Sequence, residues 1–227
     1  PSFMLVAFRI WLGAVWAFEG AMKVAEGWLK EPKLEGFFGG ASAWFEGILK
    51  AGGEAGVSEA VDAVSSATAA GGEAGASAGT ILFDFDFLGF VRAVFVSGKP
   101  LAESTIADLA FKMDIPLVNA MVSNVVLGSS GVTLAMQTMI VIAEILIGLS
   151  MMSGLLTTFS SLASIVLLFM FMSTTGLFLS SFWMLFGAVA LLFGAGKVFG
   201  LDYYVSPLLK RSWSRIGWVK RLYLYHD

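Results

Sequence analysis

The chain has 227 residues, of which 57% are apolar and 14% are charged, and its formal net charge is −3. It contains no Cys, which excludes disulfides, thiolate metal sites and Cys-attached haem. Its single His, His226, lies next to the C-terminus, so a bis-His haem cannot form within the chain. The composition favours a protein of the lipid bilayer, and we predict no metal, covalently bound cofactor or nucleic-acid partner.

Long apolar segments indicate where the chain crosses about 30 Å of hydrocarbon, at about 1.5 Å per helical residue. The first runs from about Phe3 to Val24, and the second from about Val132 to Met152. A third apolar region, residues 155–198, is too long for one span. It divides near residues 173–176, where Ser, Thr and Gly interrupt the apolar pattern, and so supplies two spans.

We therefore predict an all-α membrane protein with a bundle of four transmembrane helices, TM1 in residues 1–24 and TM2 to TM4 in residues 132–199. Arg9 interrupts what would be the apolar core of a signal peptide, which argues against cleavage of this segment. Pro1 in place of an initiator Met suggests that the chain was processed or belongs to a longer protein.

A long insertion, residues 25–131, separates TM1 from TM2. Its segment 51–79 consists mainly of Ala, Gly and Ser and can bury little apolar surface, so we predict a loose surface segment. Residues 36–50 carry aromatic side chains among glycines, as in a segment at the lipid headgroups, and Leu101–Met113 has the pattern of an amphipathic interfacial helix. Residues 117–127 are too short to span and are predicted to pack over the bundle.

Residues 81–96 fit two secondary structures. Phe83, Phe85 and Phe87 alternate with Asp84 and Asp86, which is the period of a strand. Helical spacing is also present, through Phe83, Phe87, Phe90 and Val94. We predict an interfacial helix, because an isolated strand would leave its backbone groups unpaired. Asp84 and Asp86 could bind calcium, but two acids alone fit a solvated face better.

The charges predict the orientation in the membrane. The tail, residues 200–227, is basic, with Lys210, Arg211, Arg215, Lys220 and Arg221, whereas the insertion 25–131 is acidic. We predict a multi-pass protein with both termini in the cytoplasm and the insertion outside.

Two charged residues lie inside predicted spans, Arg9 in TM1 and Glu144 in TM2. An ionisable side chain at membrane depth is costly unless paired, and it often marks a functional site. Counted from the predicted cytoplasmic ends of their spans, Arg9 lies about 9 Å deep and Glu144 about 12 Å deep. We predict that the two side chains are in contact, either as catalytic groups or only to fix the helix register.

TM1 presents Arg9, Gly13, Trp16, Gly20 and Lys23 at helical spacing on one stripe, which combines small residues for close helix contact with polar ones. Glu19 and Lys23 are spaced for a structural ion pair within the helix. After TM4, Lys197 follows Gly194–Gly196 at the inner boundary, where its side chain can reach a headgroup or a partner carboxylate.

Three of these segments resemble the DoxX-like family of membrane proteins. The first is Phe8–Gly13 (FRIWLG) with Trp16, Gly20 and Lys23, and the second is Ala143–Gly148 (AEILIG) with Gly154–Thr157 (GLLT). The third, Gly194–Lys197 (GAGK) with Leu201–Asp202, is similar to the family's closing motif and has one extra residue before the Leu. The resemblance covers the four spans and leaves out the long insertion.

The resemblance implies a four-helix unit of the bacterial plasma membrane that takes part in quinone-linked oxidation, as in the membrane subunit of thiosulfate:quinone oxidoreductase. The tail, residues 218–227, is also similar to the end of membrane domains fused to some type II NADH dehydrogenases. The expected partners are a flavoprotein or another redox protein, and the unit could form homo-oligomers.

The residues themselves agree with a quinone-headgroup site, since a quinone carbonyl needs hydrogen-bond donors in an apolar pocket. Arg9, Trp16 and Lys197 are donors, and Glu144 can take or relay a proton, so we predict a site lined by these four residues with Arg9 and Glu144 as catalytic groups. No residue of this chain carries electrons itself. The alternatives are a non-enzymatic anchor or assembly protein whose outer domain binds a partner, and a small-solute transporter, although no clear inverted repeat is visible.

Overall fold

The computed structural model of the protein describes residues 2–54, 79–192, 200–205 and 207. The helices in this part of the chain are α1 (Ser2–Ala25), α2 (Leu34–Glu54), α3 (Pro116–Met121), α4 (Ser130–Ser153), α5 (Thr157–Thr174) and α6 (Phe182–Leu192). The strands are β1 (Thr80–Phe87), β2 (Val91–Ser97), β3 (Leu109–Asp114) and β4 (Leu177–Phe178). The predictions for most of the low-complexity segment, for Gly194–Lys197 and for the basic tail beyond residue 207 lie outside the described residues.

Within the described residues, three helices are long and apolar enough to cross a membrane: Met4–Ala25, Ser130–Ser153 and Thr157–Thr174. They coincide closely with the first three predicted spans. The predicted break near residues 173–176 is confirmed, because α5 ends at Thr174 and Gly176 follows with φ of +74°, a conformation that glycine adopts without strain. The last apolar helix, α6, is shorter over its described residues, and its predicted continuation lies in residues 193–199.

The chain divides into two compact units whose residues alternate along the sequence. The first unit comprises residues 1–26, 140–166 and 184–227, and the second comprises residues 27–139 and 167–183. The first contains α1 and most of the apolar helical residues, whereas the second contains α2, α3 and the sheet.

In the first unit, α1 and α4 run antiparallel and approach closely at glycines. A Cβ atom at Gly13 would lie 2.7 Å from the carbonyl oxygen of Gly148, and one at Gly20 would lie 2.6 Å from Ile145 Cγ1. A side chain at either position would force the helices apart, so the small residues permit this contact. The predicted stripe of α1 is therefore its contact surface for α4.

In the second unit, four strands form an antiparallel sheet in the order β1-β2-β3-β4. A tight turn through Leu88 and Gly89, both with positive φ, joins β1 to β2. Val94, Val96 and Ala110 of the sheet form a buried core with Phe45 and Ile48 of α2, so the aromatic residues predicted near the headgroups belong to an amphipathic helix that covers one face of the sheet.

The sheet corrects three predictions. The fold is not all-α, and residues 81–96 form a β-hairpin rather than an interfacial helix. Leu101–Met113 begins with a short 3₁₀ turn and ends within the strand β3, so it is not an amphipathic helix. The helix prediction assumed that a strand in residues 81–96 would have no partner. Two segments were misassigned together because each is the hydrogen-bonding partner of the other, and a local pattern does not show a distant partner.

Buried Gln137 of α4 holds the chain that connects α1 to α2. Its side-chain oxygen accepts hydrogen bonds from the backbone N–H groups of Lys33 and Leu34, both at 2.8 Å. Its amide group donates to the carbonyl oxygens of Trp28 and Glu31. One side chain thus satisfies four backbone groups of a loop inside the second unit.

Candidate functional site

A buried ion pair joins α1 to α4 in the first unit. Lys23 Nζ donates a hydrogen bond to Glu144 Oε1, and the Glu144 side chain is 1% exposed. The other carboxylate oxygen, Oε2, is buried and has no hydrogen-bond partner among the described residues. Glu19 lies close enough for its negative charge to act on the same carboxylate. Glu144 therefore has one paired oxygen and one that can accept a hydrogen bond or a proton.

The predicted contact between Arg9 and Glu144 is wrong, because α1 and α4 are offset along their axes. Gly20 of α1 lies against Glu144 Cβ, whereas Arg9 Nη1 lies beside the position that a Cβ of Gly154 would take. These two levels are separated by about 16 Å, since Arg9 precedes Gly20 by about eleven residues at 1.5 Å each. The depth estimate treated the two helix ends as level, and they are not.

Arg9 belongs to a second buried cluster, formed at the turn between α4 and α5. The guanidinium is buried and attracted electrostatically by the carboxylate of Asp202. A Cβ at Gly154, which has φ of +66°, would lie 2.6 Å from Arg9 Nη1 and 2.6 Å from Gly200 Cα. Only a glycine leaves room for the guanidinium and the backbone of Gly200 at this turn.

Asp202, which comes from a distant part of the chain, caps the N-terminus of α5. Its carboxylate oxygens accept hydrogen bonds from the backbone N–H groups of Leu156 (2.5 Å) and Thr157 (2.9 Å). Its own N–H donates to the carbonyl oxygen of Gly154 at 2.8 Å. A carboxylate at a helix N-terminus satisfies N–H groups that have no partner within the helix and interacts favourably with the helix dipole.

Residues from three separated segments of the sequence meet at this cluster. Arg9 comes from the TM1 motif, Gly154–Thr157 from the TM2 motif, and Leu201–Asp202 from the closing motif. The three segments contact one another at the turn: its backbone N–H groups bind the Asp202 carboxylate, and the Arg9 guanidinium lies against Gly154. Residues from all three motifs that carried the family resemblance therefore lie in contact, although they are distant in the sequence.

The remaining predicted site residues occupy different positions. Trp16 is buried on α1, and its indole nitrogen has no hydrogen-bond partner in the part of the chain that is described. The Glu19–Lys23 pair within α1 stays a prediction, while the structure adds Glu144 as a partner of Lys23. Lys197 lies outside the described residues.

Sequence reasoning missed a polar stripe on α5. Thr157, Ser161 and Ser164 are spaced by four and three residues and are all buried. Within the described chain, their hydroxyl groups have no hydrogen-bond partner. The helical spacing was the available signal, but serine and threonine in an apolar run are also common where helices pack closely.

In comparisons with known proteins, no family model, no curated protein and no solved structure matches this chain.

Proposed function

We propose that the chain is the membrane subunit or domain of a quinone-linked oxidoreductase, with Glu144, Lys23 and Trp16 at the site of the quinone headgroup. In this proposal a flavoprotein or another redox partner supplies the electrons. In this proposal the bundle has four transmembrane helices, both termini lie in the cytoplasm of a bacterial cell, and the insertion lies outside.

The observation that carries this proposal is the buried carboxylate of Glu144. Lys23 donates a hydrogen bond to one oxygen and orients the carboxyl group, while the second oxygen is buried without a hydrogen-bond partner among the described residues. Such a group inside an apolar helix is costly, so a chain that only needed an anchor would gain stability from an apolar residue there. A carboxylate held in this way can take up a proton on its free oxygen and then pass it to a bound headgroup.

The donors suit a carbonyl-bearing ring in apolar surroundings. Trp16 lies on the same stripe of α1 as Gly20 and Lys23, the residues that contact Glu144, and its indole nitrogen is buried. A quinone accepts two electrons and two protons on reduction. The Trp16 N–H and the Lys23 ammonium would orient the carbonyl oxygens, and Glu144 would deliver protons that it takes up from the end of α1 where Lys23 lies.

Arg9 takes a different role from the one predicted. It lies at the α4–α5 turn with Asp202, so we assign it to holding the closing segment rather than to the headgroup. The convergence of the three motifs at this turn supports the DoxX-like resemblance, because the residues that suggested the family are in mutual contact. Lys197 stays in the proposal as a contact for a lipid headgroup at the predicted inner boundary, away from the quinone site.

Quinone bound to the purified full-length chain tests this function. The chain is extracted from bacterial membranes in mild detergent, and quinone is measured per chain after solvent extraction, with phospholipid as the reference for carry-over. For the wild type we expect a higher ratio of quinone to phospholipid than in the membrane itself. For Glu144→Gln we expect several-fold less bound quinone per chain. Glu46→Gln is the matched control, since Glu46 is an exposed residue of α2 that forms an ion pair with Lys50 one turn away.

A second candidate, a non-enzymatic anchor or assembly protein, is favoured by one observation, the large exposed aromatic surface of the sheet. In that case the wild type carries quinone only at the membrane ratio, Glu144→Gln matches it, and a partner without redox activity co-purifies in constant proportion. That set of results would replace the oxidoreductase proposal.

A further inference from the structure

The two faces of the β-sheet differ sharply in charge. In an antiparallel sheet, paired residues project to the same face. The pairing places Asp84, Asp86, Arg92, Lys112 and Asp114 on the face that α2 partly covers. These are all the charged residues of β1, β2 and β3, so the opposite face carries none from these strands.

That opposite face, which we call the aromatic face, consists mainly of Phe83, Phe85, Phe87, Phe95, Phe111 and Met113. Phe83, Phe85 and Phe87 are 50%, 50% and 54% exposed, and their rings stand in a ladder with centroids 6.0 and 6.4 Å apart. The hairpin tip continues it with Leu88 and Phe90, which are 78% and 72% exposed. A contiguous apolar surface of this kind on a folded domain marks an interaction site.

The charged face has its own partners and needs no other cover near the hairpin. Arg92 forms a hydrogen-bonded ion pair with Asp84, which lowers the pKa of the Asp84 carboxyl, and Asp86 accepts a hydrogen bond from Gly89 N–H at the turn. The charges are therefore suited to water, and the aromatic face is suited to an apolar environment. Such a two-sided strand pattern is the β counterpart of an amphipathic interfacial helix.

Continuity with an apolar helix identifies the environment. Across the sheet, Phe83, Phe95, Phe111 and Leu177 form one row. At its end, the ring of Phe111 packs edge-to-face on Phe182, the first residue of the apolar helix α6, at 5.9 Å. The last residues of α5, a helix long enough to span a bilayer, belong to the same compact unit. Within the second unit, the aromatic face is thus continuous with the residues that join α5 to α6.

We propose that the aromatic face lies on the bilayer surface, with the rings of Phe83, Phe85 and Phe87 among the lipid acyl chains and the charged face toward water. Burial of these rings stabilises the contact, and no basic residue of the strands faces the lipid. The attachment is therefore independent of anionic lipid and of salt. This inference does not rest on the proposed quinone site.

Spin labels in the reconstituted full-length chain test the proposal, since the natural sequence has no Cys. Phe85→Cys and Asp86→Cys are labelled separately with a nitroxide, in phosphatidylcholine vesicles with and without phosphatidylglycerol. Collision rates are measured with oxygen, which concentrates in the bilayer, and with a water-soluble nickel chelate. We expect the Phe85→Cys label to prefer oxygen by several-fold and the Asp86→Cys label to prefer nickel, with no effect of anionic lipid or 0.5 M salt, at which charges are screened over a few ångströms.

Two results would overturn the proposal. Equal access of nickel to both labels would mean that the face is open to water. A Phe85→Cys label shielded from both reagents would mean that protein covers it, and a short label-to-label distance would then identify a second copy. Phe83→Cys repeats the measurement on the same face in case Phe85→Cys does not fold.

Discussion

Two buried carboxylates of the first unit, Asp202 and Glu144, occupy opposite kinds of environment. Each oxygen of Asp202 accepts a backbone N–H at the start of α5, and Arg9 supplies the compensating charge. Glu144 has one oxygen on Lys23 and one that is buried without a hydrogen-bond partner in the described chain. The difference separates a carboxylate that holds the fold from one that is available for chemistry, although both look alike as acids near apolar segments.

The largest expected effect on stability comes from Asp202, the carboxylate that holds the fold. Asp202→Ala removes two charge-assisted hydrogen bonds from the α5 terminus and leaves the buried Arg9 without its carboxylate. We expect a loss of about 3 kcal/mol in the free energy of unfolding. Unfolding of the full-length protein in mixed micelles measures it. Asp202→Asn keeps a hydrogen-bond acceptor, so its loss in the free energy of unfolding should be clearly smaller. Equal stability of Asp202→Ala and the wild type would contradict the capping role of Asp202.

The contact between α1 and α4 gives the next effect, because it brings Lys23 to Glu144. A Cβ at Gly148 would collide with the backbone nitrogen of Ala17 and lie 2.6 Å from the carbonyl oxygen of Gly13. Gly148→Ala should therefore cost about 2 kcal/mol by separating the helices. Gly131→Ala in the same helix has no atom within 4 Å of the new Cβ and should not destabilise. Equal stabilities for the two variants would contradict this close packing.

On the other side of the comparison, Glu144→Gln should cost only about 1 kcal/mol, although it breaks a buried pair. Lys23 is 16% exposed and can turn its ammonium group toward water, which limits the penalty of losing its carboxylate. Unfolding in the same micelles measures the loss. A loss as large as that of Asp202→Ala would make Glu144 a structural residue.

A surface carboxylate gives the smallest effect. Hydrogen bonds from the Thr105 hydroxyl, Lys99 and the Thr105 backbone lower the pKa of Asp108 to about 2. Because this pKa lies below the usual value of about 4, the stabilisation is present above pH 4 and is lost as the pH falls toward 2. Titration of the Asp108 carboxyl carbon by NMR should give this midpoint, and Thr105→Ala should raise it. A wild-type midpoint near 4 would contradict these contacts.

The sequence predicted the helices better than the contacts between them. Apolar length identified α1, α4 and α5, and the polar residues before Gly176 identified the end of α5. The strands were missed because strand pairing depends on distant segments, and the alternation of Phe and Asp in β1 was outweighed by the apparent lack of a partner.

The candidate site was predictable in its residues and not in their pairing. A charge in an apolar run marked Arg9 and Glu144 correctly as buried groups. Which partner each one has depends on the axial offset of two helices, which the glycine contacts decide and which residue counting from the helix ends does not reveal. Asp202 was noticed only as part of a motif, since a cap supplied by a segment 45 residues away leaves no local pattern.

The most direct test compares two rates in the complex that contains this chain: electron transfer to quinone at limiting concentration, and electron transfer from the partner to a water-soluble dye. For Glu144→Gln we predict a fall of at least about 10-fold in the ratio of the first rate to the second, since a positioned proton donor contributes about 100-fold or more. Asp202→Asn, which changes the carboxylate assigned to the fold, should keep the wild-type ratio. An unchanged ratio in Glu144→Gln, with the complex intact, would contradict the assignment of Glu144 to the chemistry.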